Sequence, residues 1–241
     1  MLKEKPSKRK APRKKAGNNN LCNTLTSEAA ISGNRKAAFL FYSFTPSIAI
    51  IIMSSLIVGL GNMGADYEHT RHNVGFDILD VLAGQFQEDS TFETSRHGDI
   101  FKFRTKGRST TLLKPSTFVN LSGKAVAYWM QKEKVKLENV LIVTDDIALP
   151  FGTLRLRATG NNGGHNGLKH IDQVLGTNNY ARLRVGIGGE FDHGQQVNFV
   201  LGHWTEEERS SLDERIEMAS RMILSFCTAG VDRTMSQYNN K

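Results

Sequence analysis

The apolar run Leu56-Ile57-Val58 leads into a glycine-rich turn, Gly59-Leu60-Gly61-Asn62-Met63-Gly64, and is followed by Thr70-Arg71-His72-Asn73. Two chemistries are compatible with these residue types. On their own, the glycines match G-x-G-x-x-G after a strand, the fingerprint of a dinucleotide cradle. Combined with a histidine whose ring can exchange a proton near neutral pH, they suggest a hydrolase instead. A cradle needs its third glycine at a helix N-terminus, where free N–H groups meet the pyrophosphate. Here residues 65–71 are polar and lack a 3.6 period, and apolar helical spacing begins only with Val74, Ile78, Val81 and Leu82. The acidic residue at ribose-binding distance, Asp80, falls inside that helix. The glycines therefore open a loop.

The elements that must carry these residues alternate in type. Strand patterns cover 56–60, 100–103, 110–113, 140–144, 153–157 and 184–188, the second and third forming a hairpin around Lys106-Gly107-Arg108. Helical spacing covers 73–85, 122–132 and 167–175. Thr205 followed by Glu206-Glu207-Glu208 is a capping box that opens a further helix, with Leu212, Ile216, Ala219, Ile223 and Phe226 on one face. Hairpin strands mixed with crossover strands predict an α/β single domain: a twisted mixed β-sheet with helices on both faces. In such folds the site lies outside the carboxyl ends of the strands. Four polar loops fall there. They carry Asn62 and His72; Lys114 to Gly123; Asp145 and Asp146; and Gly160-Asn161-Asn162-Gly163-Gly164-His165-Asn166-Gly167.

Charge is unevenly distributed along the 241 residues. The formal net charge is +7, but residues 1–53 hold ten Lys/Arg against two Glu, whereas 54–241 hold 21 against 22 Asp/Glu. The second part has no overall field to attract a polyanion, so nucleic-acid contact there needs a local basic cluster. Residues 1–34 are basic and polar with few apolar groups, a composition expected to be disordered. Residues 37–53 are uncharged and apolar and resemble an export signal or anchor, yet they lie far from Met1 and are interrupted by Ser43, Thr45, Pro46 and Ser47. The chain thus divides into an extension over 1–53 and a catalytic domain over 54–241, with no stable membrane contact expected. Cys22 and Cys227 form no C-x-x-C, and no histidine sits in H-E-x-x-H, which argues against disulfides and structural zinc and fits a reducing cytoplasm.

Five ordered segments, GLGNMGADYEHTRHNVGFD, KPSTFVNLSGKA, VLIVTDDIALPFGTLRLR, GGHNGLKHI and RLRVGIG, resemble the bacterial-type peptidyl-tRNA hydrolase family in order and spacing, from about Leu56 to Tyr238. The resemblance implies a cofactor-free, metal-free, monomeric cytoplasmic esterase that cleaves the ester between peptide and tRNA after stalled or aborted translation. It makes His72 the catalytic base, Asp145 its supporting carboxylate, and Asn62 the amide that donates to the ester oxygen. Asn120 and Asn166 match asparagines that hold the peptide backbone and the tRNA 3′ end, and Tyr67, Phe118 and His165 match supports or walls of the groove. Arg155, Arg157 and Arg184 match basic positions that grip the tRNA 5′ phosphate. Alternation along a strand puts Arg155 and Arg157 on one face.

Direct attack by water is expected, because no serine or cysteine lies in a nucleophile motif. His69, His97, His170, His193 and His203 are expected to be structural, and Asp146 solvated or structural. Met63 stands where many members have proline and Ala148 where many have aspartate. A non-catalytic RNA-binding relative on the same fold, similar to an intron-splicing factor, is the alternative from another class.

Overall fold

The computed structural model describes residues 54–86 and 91–239. The extension over 1–53 lies outside the described residues, as does the expectation that it is disordered. Among the described residues no helix is long and apolar enough to cross a membrane.

The chain runs β1 (Ser54–Gly59), α1 (Val74–Gly84), β2 (Glu93–Ser95), β3 (Gly98–Thr105), β4 (Arg108–Pro115) and α2 (Ser122–Lys132). It continues through β5 (Val140–Asp146), β6 (Leu154–Arg157), α3 (Asn166–Leu175), β7 (Ala181–Gly186), α4 (Gln196–Val200), α5 (Glu206–Ala229) and α6 (Val231–Tyr238). The seven strands form one sheet in the order β2-β3-β4-β1-β5-β7-β6. β1 pairs in parallel with β4 and β5, β5 with β7, and the outer pairs β2–β3, β3–β4 and β6–β7 are antiparallel. This is the mixed sheet the residue pattern predicts.

Strand alternation sorts the apolar side chains into two cores. Ile57, Leu141, Val143, Leu183 and Val185 face α1 and α5, joining Ile78, Leu82, Leu212, Ile223 and Phe226. Their neighbours Leu56, Val58, Val140 and Ile142 face α2 and α3, joining Ala125, Trp129, Leu168 and Ile171. Buried on both faces, the central strands read as continuous apolar runs.

Several boundaries differ from the sequence pattern for local reasons. The β3–β4 hairpin turns on only Lys106 and Gly107, at φ of 47° and 75°, and Arg108 already pairs with Thr105. Positive φ at both central residues is the geometry that follows strand twist most closely. β5 continues to Asp146 because Asp145 and Asp146 keep their register against Val185 and Gly186. β2, α4 and α6 had no pattern strong enough to announce them. The capping box at α5 is present as read: Thr205 Oγ1 accepts from Glu208 N, and Glu208 Oε2 accepts from Thr205 N.

Candidate active site

Helix α1 crosses so close to the sheet that two glycines are required for contact. A Cβ on Gly59 would lie 2.4 Å from Gly75 O, and one on Gly75 would lie 2.7 Å from Leu60 N and O. Gly61 is likewise hemmed in by Asn73 Oδ1 and the Phe76 ring at 3.0 Å. Of the three turn glycines only Gly64 has a positive φ, 105°. Gly59 and Gly61 thus serve helix packing rather than freedom to bend.

This packing delivers the turn Arg71–Asn73 to the carboxyl end of β1. There Asn73, buried, pairs with the Asn62 backbone in both directions: its Oδ1 accepts from Asn62 N at 2.8 Å, and its Nδ2 donates to Asn62 O at 2.9 Å. Asn62 Oδ1 accepts from Val119 N at 3.0 Å. With the oxygen so engaged, the Asn62 amide presents its N–H₂ as the remaining donor. Arg71 anchors the turn from the other side, donating to His203 O at 2.8 Å and to Glu208 Oε2 at 2.7 Å.

Asp145, 4% exposed near the end of β5, lies between two imidazoles. His72 Nδ1 is 3.0 Å from both carboxylate oxygens, and His165 Nε2 is 3.0 Å from Oδ1. His165 also caps α3, its Nδ1 accepting from Gly167 N at 3.1 Å and Leu168 N at 3.3 Å. A nitrogen that accepts two N–H bonds carries no proton, so the His165 proton sits on Nε2 and is donated to Asp145. By the same accounting His72 donates Nδ1–H, which leaves its Nε2 lone pair unclaimed.

The electrostatics agree with that assignment. Burial pushes the Asp145 carboxyl up, but the charges and hydrogen bonds of His72 and His165 outweigh it and hold the group well below the usual carboxylate range. For His72, burial acts downward and is overcome by the Asp145 charge and hydrogen bond, so the imidazole lies above its ordinary 6.5. His72, Asp145 and His165 are also the set among the described residues whose donor atoms, within 4.8 Å of one another, are close enough for a metal ion. Those atoms are engaged with each other in hydrogen bonds.

A cavity of about 130 Å³ opens beside this trio, lined by His72, Asp145, the 161–166 loop, Arg184 and residues of α4. Asn166 begins α3 with its amide exposed. Asn62 lines a second cavity, of about 290 Å³, with Met63, Phe76 and Lys114. Phe118, 58% exposed, precedes the turn Val119–Leu121, which carries exposed Asn120 at its centre and whose first N–H holds Asn62. Tyr67 lines neither cavity; its carbonyl accepts from Thr70 Oγ1 at 2.8 Å, which braces the segment before His72.

The three arginines of the expected phosphate cluster are not equivalent. Arg155 sits opposite Arg184 and Arg157 opposite Arg182, all on the sheet face away from Leu156 and Leu183. Arg184 Nε donates to Asp146, so its charge is matched and it forms a cavity wall. Arg155 and Arg157, on the edge strand, have no acidic partner within 4.0 Å among the described residues. Asp146 is structural, as expected, and Asn73, Arg71 and Arg182 carry structural roles here that their spacing in the chain did not announce. Their partners lie up to 137 positions away, as Glu208 does for Arg71.

The family described as Peptidyl-tRNA hydrolase matches residues 56–241. A peptidyl-tRNA hydrolase of Bacteroides fragilis is 58% identical over 189 residues, 78% of this chain and all of the relative. One from Cytophaga hutchinsonii is 51% identical over the same length and coverage. The crystal structure of peptidyl-tRNA hydrolase from Acinetobacter baumannii superposes with a TM-score of 0.71 at 33% identity, covering 78% of this chain and 95% of that one. With a family match over most of its length and relatives above half identity, the chain belongs to the peptidyl-tRNA hydrolase family.

Proposed function

We propose that this chain hydrolyses the ester joining a peptide to the terminal ribose of tRNA, with His72 as general base. The observation that carries the reading is the His72–Asp145 pair, which leaves Nε2 as a free acceptor facing a cavity. His72 Nε2 takes a proton from water as the oxygen bonds to the ester carbonyl carbon. Asn62 N–H₂ donates to the carbonyl oxygen as it gains negative charge. The ester C–O bond then breaks, and the imidazolium returns the proton to the ribose oxygen. A positioned base contributes about 10²–10⁴-fold and one oxyanion donor about 10²–10³-fold. No residue lining the cavity offers a hydroxyl, thiol or amine nucleophile, which favours water over an acyl-enzyme.

Asn166 and Asn120 offer amides to the peptide backbone and the 3′ end, while Phe118, Tyr67 and His165 shape or brace the groove. Arg155 and Arg157 supply the free charge for the 5′ phosphate, Arg184 joining from its ion pair with Asp146. The enzyme works as a metal-free monomer in the cytoplasm; buried free Cys227 fits a reducing compartment. A non-catalytic RNA-binding role accounts for the arginines but not for a buried carboxylate shared by two imidazoles.

The test is release of tRNA from N-acetylated aminoacyl-tRNA, with and without chelator, by the full chain, a form starting at Met53 and His72→Ala. Turnover by the first two and its loss in the third is expected. An inert full chain sinks the hydrolase reading, loss of turnover in chelator sinks the metal-free mechanism, and an inert shortened form gives the extension a role.

A further inference from the structure

Arg182 is 1% exposed, among the largest fully buried side chains, and has no carboxylate within ion-pair distance among the described residues. A buried guanidinium is costly unless its donors are used; Nε has no partner among the described residues, so the partners of the two terminal nitrogens show what it holds in place. Nη1 donates to Asn161 O at 3.0 Å, in the loop that enters α3. Nη2 donates to Asn178 O at 2.9 Å, in the segment that leaves α3. One planar group therefore ties both ends of that helix to β7. Gly160 lies over it, since a Cβ there would sit 3.8 Å from Arg182 Cδ.

A second arm closes the same loop. The guanidinium rests on the Tyr180 ring, 4.5 Å from its centroid. Tyr180 OH donates to Asp172 Oδ1 at 2.6 Å, and Asp172 Oδ2 accepts from Asn162 Nδ2 at 3.3 Å. Asn161 and Asn162 are wall residues of the catalytic cavity, and the loop continues into His165 and Asn166. Arg182 itself does not line that cavity.

We propose that Arg182 is the positioning residue of the substrate-binding loop. It clips Asn161 to Asn178 so that the wall at Asn161 and Asn162 is set before peptidyl-tRNA arrives. The inference rests on the hydrolase reading above. Preorganisation of a binding wall acts on substrate affinity more than on the chemical step, since His72, Asp145 and Asn62 are held by other contacts and His165, at the end of the loop, is fixed by the Gly167 and Leu168 N–H groups. Lysine cannot replace the clip, because one ammonium lacks the planar fork that spans two carbonyls.

The experiment measures KM and kcat on N-acetylated aminoacyl-tRNA for wild type, Arg182→Ala, Arg182→Met and Tyr180→Phe, with folding checked by thermal melting. Arg182→Ala should raise KM about tenfold or more while kcat and the pH midpoint of kcat stay near wild type. Added guanidinium ion at tens of millimolar should refill the vacated site and lower KM again. It should do nothing for Arg182→Met, whose side chain fills the space without donors. Tyr180→Phe, a smaller change, should raise KM in the same direction and decides the matter if Arg182→Ala does not fold. A folded variant with unmoved KM, or one that loses kcat alone, overturns the clip, as does an unmoved KM in Tyr180→Phe where only that variant folds. An inert wild type instead overturns the hydrolase reading.

Discussion

His165 and Asp145 are joined by a hydrogen bond whose polarity is set from the far side of the ring. Gly167 N and Leu168 N claim His165 Nδ1, so Nε2 must donate to Asp145 Oδ1. The start of α3 thereby keeps a donor aimed at the carboxylate, and Asp145 keeps its negative charge for His72.

Replacing His165 by alanine removes both functions together. Loss of the cap should cost about 0.5–2 kcal/mol, read by urea unfolding. Loss of a donor to a buried charge should lower kcat on the order of 10- to 100-fold. Unchanged kcat in the folded variant would show that Asp145 needs only His72.

The pH profile follows from the direction of the His72 shift. The base acts only when neutral, so kcat/KM should rise with pH through a midpoint above 6.5. In Asp145→Asn the upward influence is gone and burial remains, so the midpoint should fall while the plateau drops by about 10²–10⁴-fold as tautomer control is lost. The same shifts act on stability with opposite signs. The Asp145 contribution is present above 3.8 and is lost as pH falls toward its depressed folded value, whereas the His72 contribution is present below 6.5 and is lost as pH rises through its raised folded value.

Asn73→Ala leaves the Asn62 N–H and carbonyl without partners in a part-buried place. The expected cost is about 1–3 kcal/mol, with a fall in kcat as Asn62 loses its position. Equal loss of stability with kcat intact would separate the Asn62 amide from the chemistry.

Gly75→Ala puts a methyl 2.7 Å from Leu60 N and O and 2.8 Å from Val143 O. Overpacking should cost about 1–3 kcal/mol despite the better helix propensity of alanine. Because α1 starts one residue after Asn73, activity should fall with it; stability equal to wild type would contradict the close crossing.

Ionic strength tests the arginines. Two phosphate contacts from Arg155 and Arg157 give a log–log slope of affinity against salt of roughly −1.5. The Arg155→Ala/Arg157→Ala double variant should bind weakly with a slope near zero, since the charge of Arg184 is already matched by Asp146. A wild-type slope near zero would remove these two residues from tRNA binding.

The central strands were legible because burial on both faces leaves continuous apolar runs such as Leu56-Ile57-Val58 and Val140 to Val143. Thr205 and Glu208 were legible as a cap because the motif is local. His72, Asp145, Asn62 and Asn166 stood out as polar residues in loops at the carboxyl ends of strands, and the roles expected of them came through ordered motifs shared with a family. What the chain did not reveal is contact between distant residues. Gly59 reads only as part of a glycine turn that opens a loop until Gly75 is seen against it, and nothing singles out Arg182 until its two carbonyls are found. Short α4 and α6 lack both a cap signal and a long period.

Asp145 and Asp146 are consecutive on β5, yet one meets two imidazoles and the other meets Arg184 and the Ala148 N–H. Their assignments depend on pairing with Val185 and Gly186 in one register. The β5–β7 ladder thus acts as a reading frame for the chemistry. A slip of one residue would swap the two carboxylates, pointing the wrong acid at His72 while the strand itself still looked intact.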